Sequence, residues 1–555
     1  MQRDRTPRSR ATRWLVVLGM AASLRGLAVE AKPPTLTTLD PAGARQGTTV
    51  RVKLTGSIDP WPPRFWTDGR GLTVVPTEDK GYVWATVASD AEMGVHYLRV
   101  ANDDGASTVR PFVIGSIPEV REVEPNDDPA RPQVLPRTIV TINGRLARNG
   151  DVDGFAVPLK KGEVLVASLD AARGPASPMD GLLQVARPDG IVLAENDDDH
   201  ERDPQVVFRA PADGLYVVRT FAFPATPDSR IGFSGGDAYL YRLTLTTGPF
   251  ADHAVPLAVT RGQPGKVQVE GWNLGEPKPQ VAVAGNPRPG TPAVSTLPVP
   301  GAANPVSLRW VDHPVATEVE PNPTDHPQPI TPPVSITGRI ESNTDLDVYE
   351  VRVKKGEKLQ VRVESRSLGQ PLDASLTILD AQGARLSESD DANNAPDPSL
   401  NFTAPADGTY RLVVRDLERE GGPRAVYLLT VTPPESDLLL RVGGERFETT
   451  LKKPLSIPIT ITRPSGDARA IEITAVDLPP GVTAKPVVSE PTGSTSRKVN
   501  LELVPDPSAK PVSGPFRVVG RIKGGTAGAE IPGLAVRDEI KGDTTDLWLT
   551  VTRGK

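Results

Sequence analysis

Cysteine is absent from the 555-residue sequence, and aromatic residues make up only 5% of it. Without cysteine there is no disulfide, no catalytic thiol, no zinc–thiolate site and no covalently attached c-type haem. The fold must therefore be held together by apolar cores. Aromatic residues are few, but β-branched residues are plentiful, so small β-sandwich cores remain possible.

Residues that carry common enzyme chemistry are also scarce. The sequence has five histidines, and no two of them have the spacing of the H-E-x-x-H zinc motif. One stretch, Gly232–Gly236, has the G-x-S-x-G pattern of serine hydrolases. That pattern indicates a serine hydrolase only when it lies at a strand–turn–helix elbow with His and Asp partners. No helical periodicity follows it here. The sequence therefore predicts a protein that is not an enzyme.

Proline and glycine are abundant, with 59 and 50 residues respectively. They interrupt helices and suit short strands joined by turns. A chain of this length is expected to form about four or five domains of roughly 100–150 residues each. The net charge is −6, and no run of Lys and Arg follows residue 31, so nucleic acid is not an expected partner.

The N-terminal segment has the pattern of an export signal. Five arginines among the first 13 residues precede a short apolar run, Trp14–Leu24, and the small residue Ala31. This pattern predicts a signal peptide over residues 1–31 and a secreted protein, either periplasmic, at the cell surface or in the medium. A basic arm or an uncleaved anchor is the alternative. No transmembrane span is predicted after signal removal.

Several sequence blocks occur twice in the same order. E-V-E-P-N stands at Glu122–Asn126 and again at Glu318–Asn322, and D-x-D, K-K-G-E and A-P-A-D-G blocks follow each copy at matching distances. In the second copy, apolar and polar residues alternate over Tyr349–Val353 and Leu359–Val363, with a turn at Lys355–Gly356 between them. A period of two predicts strands with one buried face. Each copy is therefore expected to be a sandwich or jelly roll.

These repeats divide the chain into alternating β domains. We expect an all-β fold of tandem antiparallel β-sandwiches, in which two jelly rolls alternate with immunoglobulin-like domains. The predicted boundaries are a signal peptide at 1–31, an immunoglobulin-like domain at 32–115, the first jelly roll at 116–249, a small β-sandwich spacer at 250–315, the second jelly roll at 316–434 and a C-terminal immunoglobulin-like domain at 435–555.

Taken together, the repeated blocks resemble the bacterial pre-peptidase C-terminal (PPC) domain family. Both copies carry the E-x-E-P-N start, the D-x-D-x-F/Y block, K-x-G-E and A-P-A-D-G-x-Y. The resemblance implies a jelly-roll module that occurs beside secreted proteases and also in exported proteins without one. It further implies calcium, held by the E-x-E-x-N-D stretch and the aspartates that follow it.

The acidic residues favour calcium on chemical grounds as well. Calcium takes roughly six to eight oxygen ligands in loose geometry. In an extended segment alternate side chains point to one side, and carboxylates brought together there repel one another unless a cation lies between them. The candidate ligands in the first copy are Glu122, Glu124, Asn126, Asp127, Asp151 and Asp153.

The second copy departs from the first at one position. Its candidate ligands are Glu318, Glu320, Asn322, Asp345 and Asp347. Pro323 stands where the first copy has Asp127, so a weaker, single-ion or empty site is expected there, and its occupancy is left open. For both copies the alternative is a solvated acidic linker, with the aspartates as turn residues.

Three functions are compatible with this sequence. The first is a structural or adhesive cell-envelope protein in which calcium stiffens the joints between domains. The second is a module that binds an extracellular protein or polymer, either collagen-like or polysaccharide, and the third is an accessory to a secreted peptidase. Polymer binding usually needs an exposed aromatic strip, and the jelly rolls have few aromatic residues, so the first function is favoured.

Overall fold

The structure is a computed structural model that describes residues 32–69, 71–224, 232–285, 293–391, 395–434, 438–463, 467–525, 530–537, 540 and 542–554. The predicted signal peptide, 1–31, lies outside the described residues. The described chain contains 46 strands and one short 3₁₀ helix. The predicted all-β fold of tandem β-sandwiches is therefore confirmed. Within these ranges no helix is long and apolar enough to span a bilayer.

The strands follow one another in five groups. The first β domain contains β1 (Thr38–Asp40), β2 (Gly43–Arg45), β3 (Thr49–Thr55), β4 (Arg64–Thr67), β5 (Leu72–Pro76), β6 (Tyr82–Val87), β7 (Gly94–Asn102), β8 (Gly105–Ala106) and β9 (Arg110–Gly115). The first repeat module contains β10 (Glu119–Arg121), β11 (Gln133–Val134), β12 (Ile139–Arg145), β13 (Asp153–Leu159), β14 (Val164–Asp170), β15 (Asp180–Ala186), β16 (Val192–Asn196), β17 (Gln205–Arg209), β18 (Gly214–Phe223) and β19 (Leu240–Thr246). The spacer contains β20 (Phe250–Val255), β21 (Ala258–Thr260), β22 (Gly265–Trp272), β23 (Gln280–Val283), β24 (Val294–Leu297) and β25 (Val306–Val311). The second repeat module contains β26 (Val315–Thr317), β27 (Gln328–Ile330), β28 (Val334–Arg339), β29 (Asp347–Val353), β30 (Lys358–Glu364), a 3₁₀ turn (Arg366–Leu368), β31 (Ala374–Leu379), β32 (Arg385–Ser389), β33 (Ser399–Thr403), β34 (Gly408–Asp416) and β35 (Val426–Thr432). The last β domain contains β36 (Leu439–Val442), β37 (Arg446–Thr450), β38 (Leu455–Thr462), β39 (Ile471–Val476), β40 (Val482–Lys485), β41 (Val487–Ser489), β42 (Lys498–Pro505), β43 (Val512–Ile522), β44 (Ile531–Val536), β45 (Asp543–Thr544) and β46 (Leu547–Thr552).

The two repeat modules have the same topology. The first has sheets β10-β12-β19-β14-β17 and β11-β13-β18-β15-β16, and the second has β26-β28-β35-β30-β33 and β27-β29-β34-β31-β32. The sheets are mixed rather than purely antiparallel, because β10 and β11 add to β12 and β13 in parallel. This happens because the chain crosses between the two sheets at the start of the module, so that β10 and β12 run in the same direction.

Strand alternation accounts for the cores of both modules. On β30, Leu359, Val361 and Val363 are buried between the two sheets, while Gln360 and Arg362 lie on the other face. Each buried side chain of this kind contributes roughly 1.5–3 kcal/mol. A slip of one residue in the register would turn the whole apolar set to the outside.

The recurring K-K-G-E and A-P-A-D-G blocks have a structural role. They form two neighbouring turns, in which the backbone N–H of Lys161 donates to Asp213 Oδ1 at 2.7 Å and that of Lys355 donates to Asp407 Oδ1 at 2.6 Å. The tyrosine after each second block, such as Tyr216, donates its hydroxyl back to the same turn. In both modules these blocks therefore form a pair of turns that are hydrogen-bonded to each other.

Several contacts join domains that are distant in sequence. Arg424 of the second module pairs with Asp199 of the first module at 2.6 Å and with Asp252 of the spacer at 2.9 Å. The first and last β domains also meet, through a buried ion pair between Arg99 and Glu445 at 3.0 Å. Trp66 and Trp548 pack edge to face beside this pair.

Candidate metal centre

The E-V-E-P-N segment lies where each module begins. Glu122 directly follows β10, and its N–H donates to the carbonyl of Asn143 on β12 at 3.0 Å. Asp153 is the first residue of β13, in the opposite sheet. The glutamates therefore lie across the open end of the sandwich from the aspartate.

Three carboxylates of the first module converge at this end. Oxygens of Glu122, Glu124 and Asp153 all lie within 4.8 Å of one another. The buried side-chain NH2 group of Asn126 donates to Glu124 Oε2 and to Asp153 Oδ1, at 3.1 Å from each. The three carboxylates face one another, and this arrangement could hold a metal ion. Rotation of the Asn126 amide by 180° would bring its oxygen to the same place as a fourth ligand.

Burial makes the ionised cluster unfavourable without a cation. Desolvation is the main cause that raises the pKa of Glu122 to about 7 and that of Asp153 to about 9. Neighbouring negative charges raise both pKa values further. Two hydrogen bonds oppose this effect, from the N–H of Arg145 to Glu122 at 2.5 Å and from the Tyr241 hydroxyl to Asp153 at 2.6 Å.

Two further candidate ligands of the first module face an arginine. Arg148 donates to Asp127 Oδ2 at 2.7 Å and to Asp151 Oδ1 at 2.8 Å. Asp127 also accepts the N–H of Val152 at 3.2 Å. The structure thus brings Glu122, Glu124 and Asp153 together with Asn126, and it places Asp127 and Asp151 beside a positive charge.

The second module repeats the cluster without the arginine. Glu318, Glu320 and Asp347 have oxygens within 4.8 Å of one another. Asn322 is only 1% exposed, and neither atom of its carboxamide has a hydrogen-bond partner. Glu318 Oε2 and Asp347 Oδ1 are likewise buried without a hydrogen-bond partner. Unsatisfied buried oxygens are costly, so this arrangement also could hold a metal ion.

Two differences set the second cluster apart from the first. The position matching Arg148 is Ser342, so no guanidinium reaches the cluster from that loop. Asp345 accepts the N–H of Glu341 at 2.6 Å and lies outside the group of three carboxylates. The second module therefore has fewer acidic residues but leaves more of its oxygens unpartnered.

The residues that hold the ligands in place were not predicted from the sequence. Tyr241 and Tyr427 donate to the buried aspartates of their modules. Gln133 and Gln328 each accept the N–H of the valine inside E-V-E-P-N at 2.8 Å. Each of these residues recurs at the matching place in both copies, and that recurrence is the signal that could have identified them.

Gly144 and Gly338 leave room for the glutamate ligands. A methyl group on Gly144 would lie 2.2 Å from the Tyr241 hydroxyl and 2.6 Å from Glu122 Oε2. We therefore expect Gly144→Ala to destabilise the first module by about 1–3 kcal/mol, because a packed site has to shift, and to displace Glu122. Thermal unfolding would measure the loss. Gly232→Ala is the matched control, since its added methyl group meets nothing within 4 Å, and an equal loss in both variants would contradict this explanation.

One segment of the chain is similar to a known domain family. Residues 345–416 match the bacterial pre-peptidase C-terminal domain. A probable subtilase-type serine protease of Deinococcus radiodurans is 29% identical over 243 residues, which are 42% of this chain and 26% of that protein. The chain thus spans about a quarter of that relative.

Two solved structures are similar to parts of the chain. The pre-peptidase C-terminal domain of a collagenase from Bacillus anthracis is 18% identical and matches over 21% of this chain and 100% of its own, with a TM-score of 0.17. PliG of Aeromonas hydrophila, a periplasmic inhibitor of g-type lysozyme, is 14% identical over 21% of this chain and 96% of its own, with a TM-score of 0.16.

Proposed function

We propose that the protein is an exported, non-catalytic scaffold of the cell envelope, with a structural or adhesive role, in which calcium fixes each joint between a β domain and the module after it. Both modules would be pre-peptidase C-terminal modules, as their common strand order supports. The observation that carries the proposal is the pair of matching carboxylate clusters, each at the first residues of a module. Oxygen-only ligands and loose geometry suit calcium better than zinc or copper.

The contacts of β10 support a role at the first joint. Glu119 and Arg121 of this strand directly precede the ligand Glu122. Arg121 pairs with Asp40 of the first β domain at 2.6 Å, and Glu119 pairs with the buried Arg242 at 2.7 Å. An ion bound at Glu122 would hold this strand, and the strand would hold the neighbouring domain.

At the second joint, the strand that precedes the metal ligand also contacts the preceding domain, here through apolar side chains. Val315 of β26 packs against an apolar cluster that includes Leu257 and Val311 of the spacer. The N–H of Leu257 donates to Thr337 Oγ1 of β28 at 2.9 Å. The ligand Glu318 follows β26 directly, as Glu122 follows β10.

Small-angle scattering of the full chain tests this proposal. We expect a smaller radius of gyration and a narrower distribution of distances with calcium than with a chelator, because bound ions restrict both joints. The double variant Asp153→Asn/Asp347→Asn keeps the shape of both side chains and should give the chelated profile in either buffer. Identical profiles of the natural chain with and without calcium would refute calcium-fixed joints.

A role as accessory to a secreted peptidase is the second candidate. It is favoured by the match to the Deinococcus radiodurans protein, whose name describes a probable subtilase-type serine protease. In this case the chain would bind a peptidase or its substrate and perform no cleavage itself. Zymography of the purified chain distinguishes a peptidase from both candidates, since clearing bands would contradict a non-catalytic protein.

A further inference from the structure

The first β domain carries an exposed aromatic and cationic face that the calcium proposal does not use. It lies on the sheet β1-β3-β6-β5, away from the core. Arg51 pairs in register with Trp84, Trp84 with Val75, and Lys53 with Tyr82. Alternation along each strand puts these five side chains on one side, which we call the outer face. Trp84 is 45% exposed and Val75 is 53% exposed.

The outer face continues into a cleft at the first joint. The cleft has a volume of about 530 Å³, with Arg51, Lys53 and Tyr82 on one wall and Arg121 of the first module on the other. Two carboxylates also line it, and each is ion-paired, Asp40 with Arg121 and Glu119 with Arg242. The Arg51 guanidinium lies 4.1 Å from the centre of the Tyr82 ring. Arg121 remains about half exposed although it pairs with Asp40.

Lys53 brings an unneutralised charge to this cleft. Among the described residues it has no ion pair or hydrogen bond through its ammonium group, and it lies in the exposed row of β3. An exposed tryptophan by itself needs no explanation. On the described surface Lys53 is unpaired, whereas Arg51 pairs with Asp79 and Arg121 pairs with Asp40. Together with the tryptophan and the tyrosine these cations form one patch with both stacking and charge, and such patches mark binding sites.

We propose that the outer face and its cleft bind an anionic polysaccharide. A sugar ring would lie on Trp84, with the apolar side of the ring against the indole, and its carboxylate or sulfate would meet Lys53 and Arg121 in the cleft. A nucleic acid fits less well, because tight binding requires many phosphates to be neutralised, whereas this patch has three cations in a chain of net charge −6.

Isothermal titration of the full chain tests the site, with calcium held constant. Hyaluronate supplies carboxylates, chondroitin sulfate supplies carboxylates and sulfates, and dextran is the neutral control. We expect one or both anionic polymers to bind and dextran not to bind. Trp84→Ala and Lys53→Gln should each weaken binding by about 10-fold, equivalent to about 1.4 kcal/mol, and Trp84→Tyr should restore most of the loss.

Lys358→Gln is the charge-matched control, because Lys358 is exposed on β30 of the second module. Binding that falls equally in this control would indicate general charge attraction and overturn the site. So would equal binding of dextran, or tighter binding of oligothymidylate than of either anionic polysaccharide. Polysaccharide binding that survives the loss of calcium binding in Asp153→Asn/Asp347→Asn would support a polysaccharide site distinct from the metal ligands.

Discussion

Calcium should raise the unfolding temperature of the chelated protein by roughly 10 °C at pH 8. A ligand present at 100 times its dissociation constant stabilises the folded state by about 2.7 kcal/mol. In a module of this size, each kcal/mol moves the midpoint by roughly 4 °C. Scanning calorimetry with calcium and with a chelator measures the shift. The double variant Asp153→Asn/Asp347→Asn should show none.

The calcium shift should also depend on pH. Burial raises the pKa of Glu122 to about 7 and that of Asp153 to about 9, and those of Glu318 and Asp347 likewise to about 7 and about 9. In the calcium-free protein, the folded state therefore binds more protons than the unfolded state between the ordinary and the raised pKa values. This stabilisation is complete below about pH 4 and is lost as the pH rises through 7 and 9.

Bound calcium would keep these carboxylates ionised across this pH range. The calcium-bound protein would therefore not lose folding stability as the pH rises. The shift in unfolding temperature should therefore increase from pH 5.5 to pH 9, and calcium binding at pH 7 should release protons. Calorimetry in buffers of different ionisation enthalpy measures the proton release. A shift of constant size across this pH range would contradict buried ligands.

The second module should bind calcium more tightly than the first. Its cluster has unpartnered buried oxygens on Glu318, Asn322 and Asp347, and no arginine takes the place of Arg148. In the first module, a cation has to approach while Arg148 lies against Asp127 and Asp151. A calcium titration should thus show two phases, with Asp347→Asn removing the tighter phase and Asp153→Asn the weaker one.

Arg148→Gln should tighten the weaker phase by about 10-fold, since it removes a positive charge and releases two carboxylates. Arg131→Gln is the matched control, because Arg131 is exposed and pairs with Asp128 instead. If the first module binds more tightly in the natural chain, or if Arg148→Gln weakens binding, the arginine is part of the site and not a competitor.

The sequence was sufficient to predict the sandwiches and the meeting of distant carboxylates. Repetition of Glu122 and Glu124 with Asp153 in a second copy pointed to one shared site, and the period of two gave the buried faces. The sequence could not predict the contact that bears on the relative affinity of the two sites. Counting acidic residues favours the first copy, whereas Asp127 and Asp151 face Arg148, and that contact depends on how one loop folds back.

Contacts between residues that are distant in sequence could not be predicted either. Tyr241 donates to Asp153 across 88 positions, and no local pattern links a tyrosine on the last strand to an aspartate on an early one. The outer face of the first β domain was missed for a similar reason. Its members stand on three different strands, and only the register places Arg51, Trp84 and Val75 in one row.

The contact between the first and last β domains has a mechanical consequence. Arg99 and Glu445 pair in a buried environment, and Arg446 donates to the carbonyl of Ala106 at 3.1 Å beside them. Tension applied between these two domains would have to peel this interface apart before it stretched the chain through the repeat modules. This interface would yield first, so that the joints at the repeat modules would bear load only after the first and last β domains have separated.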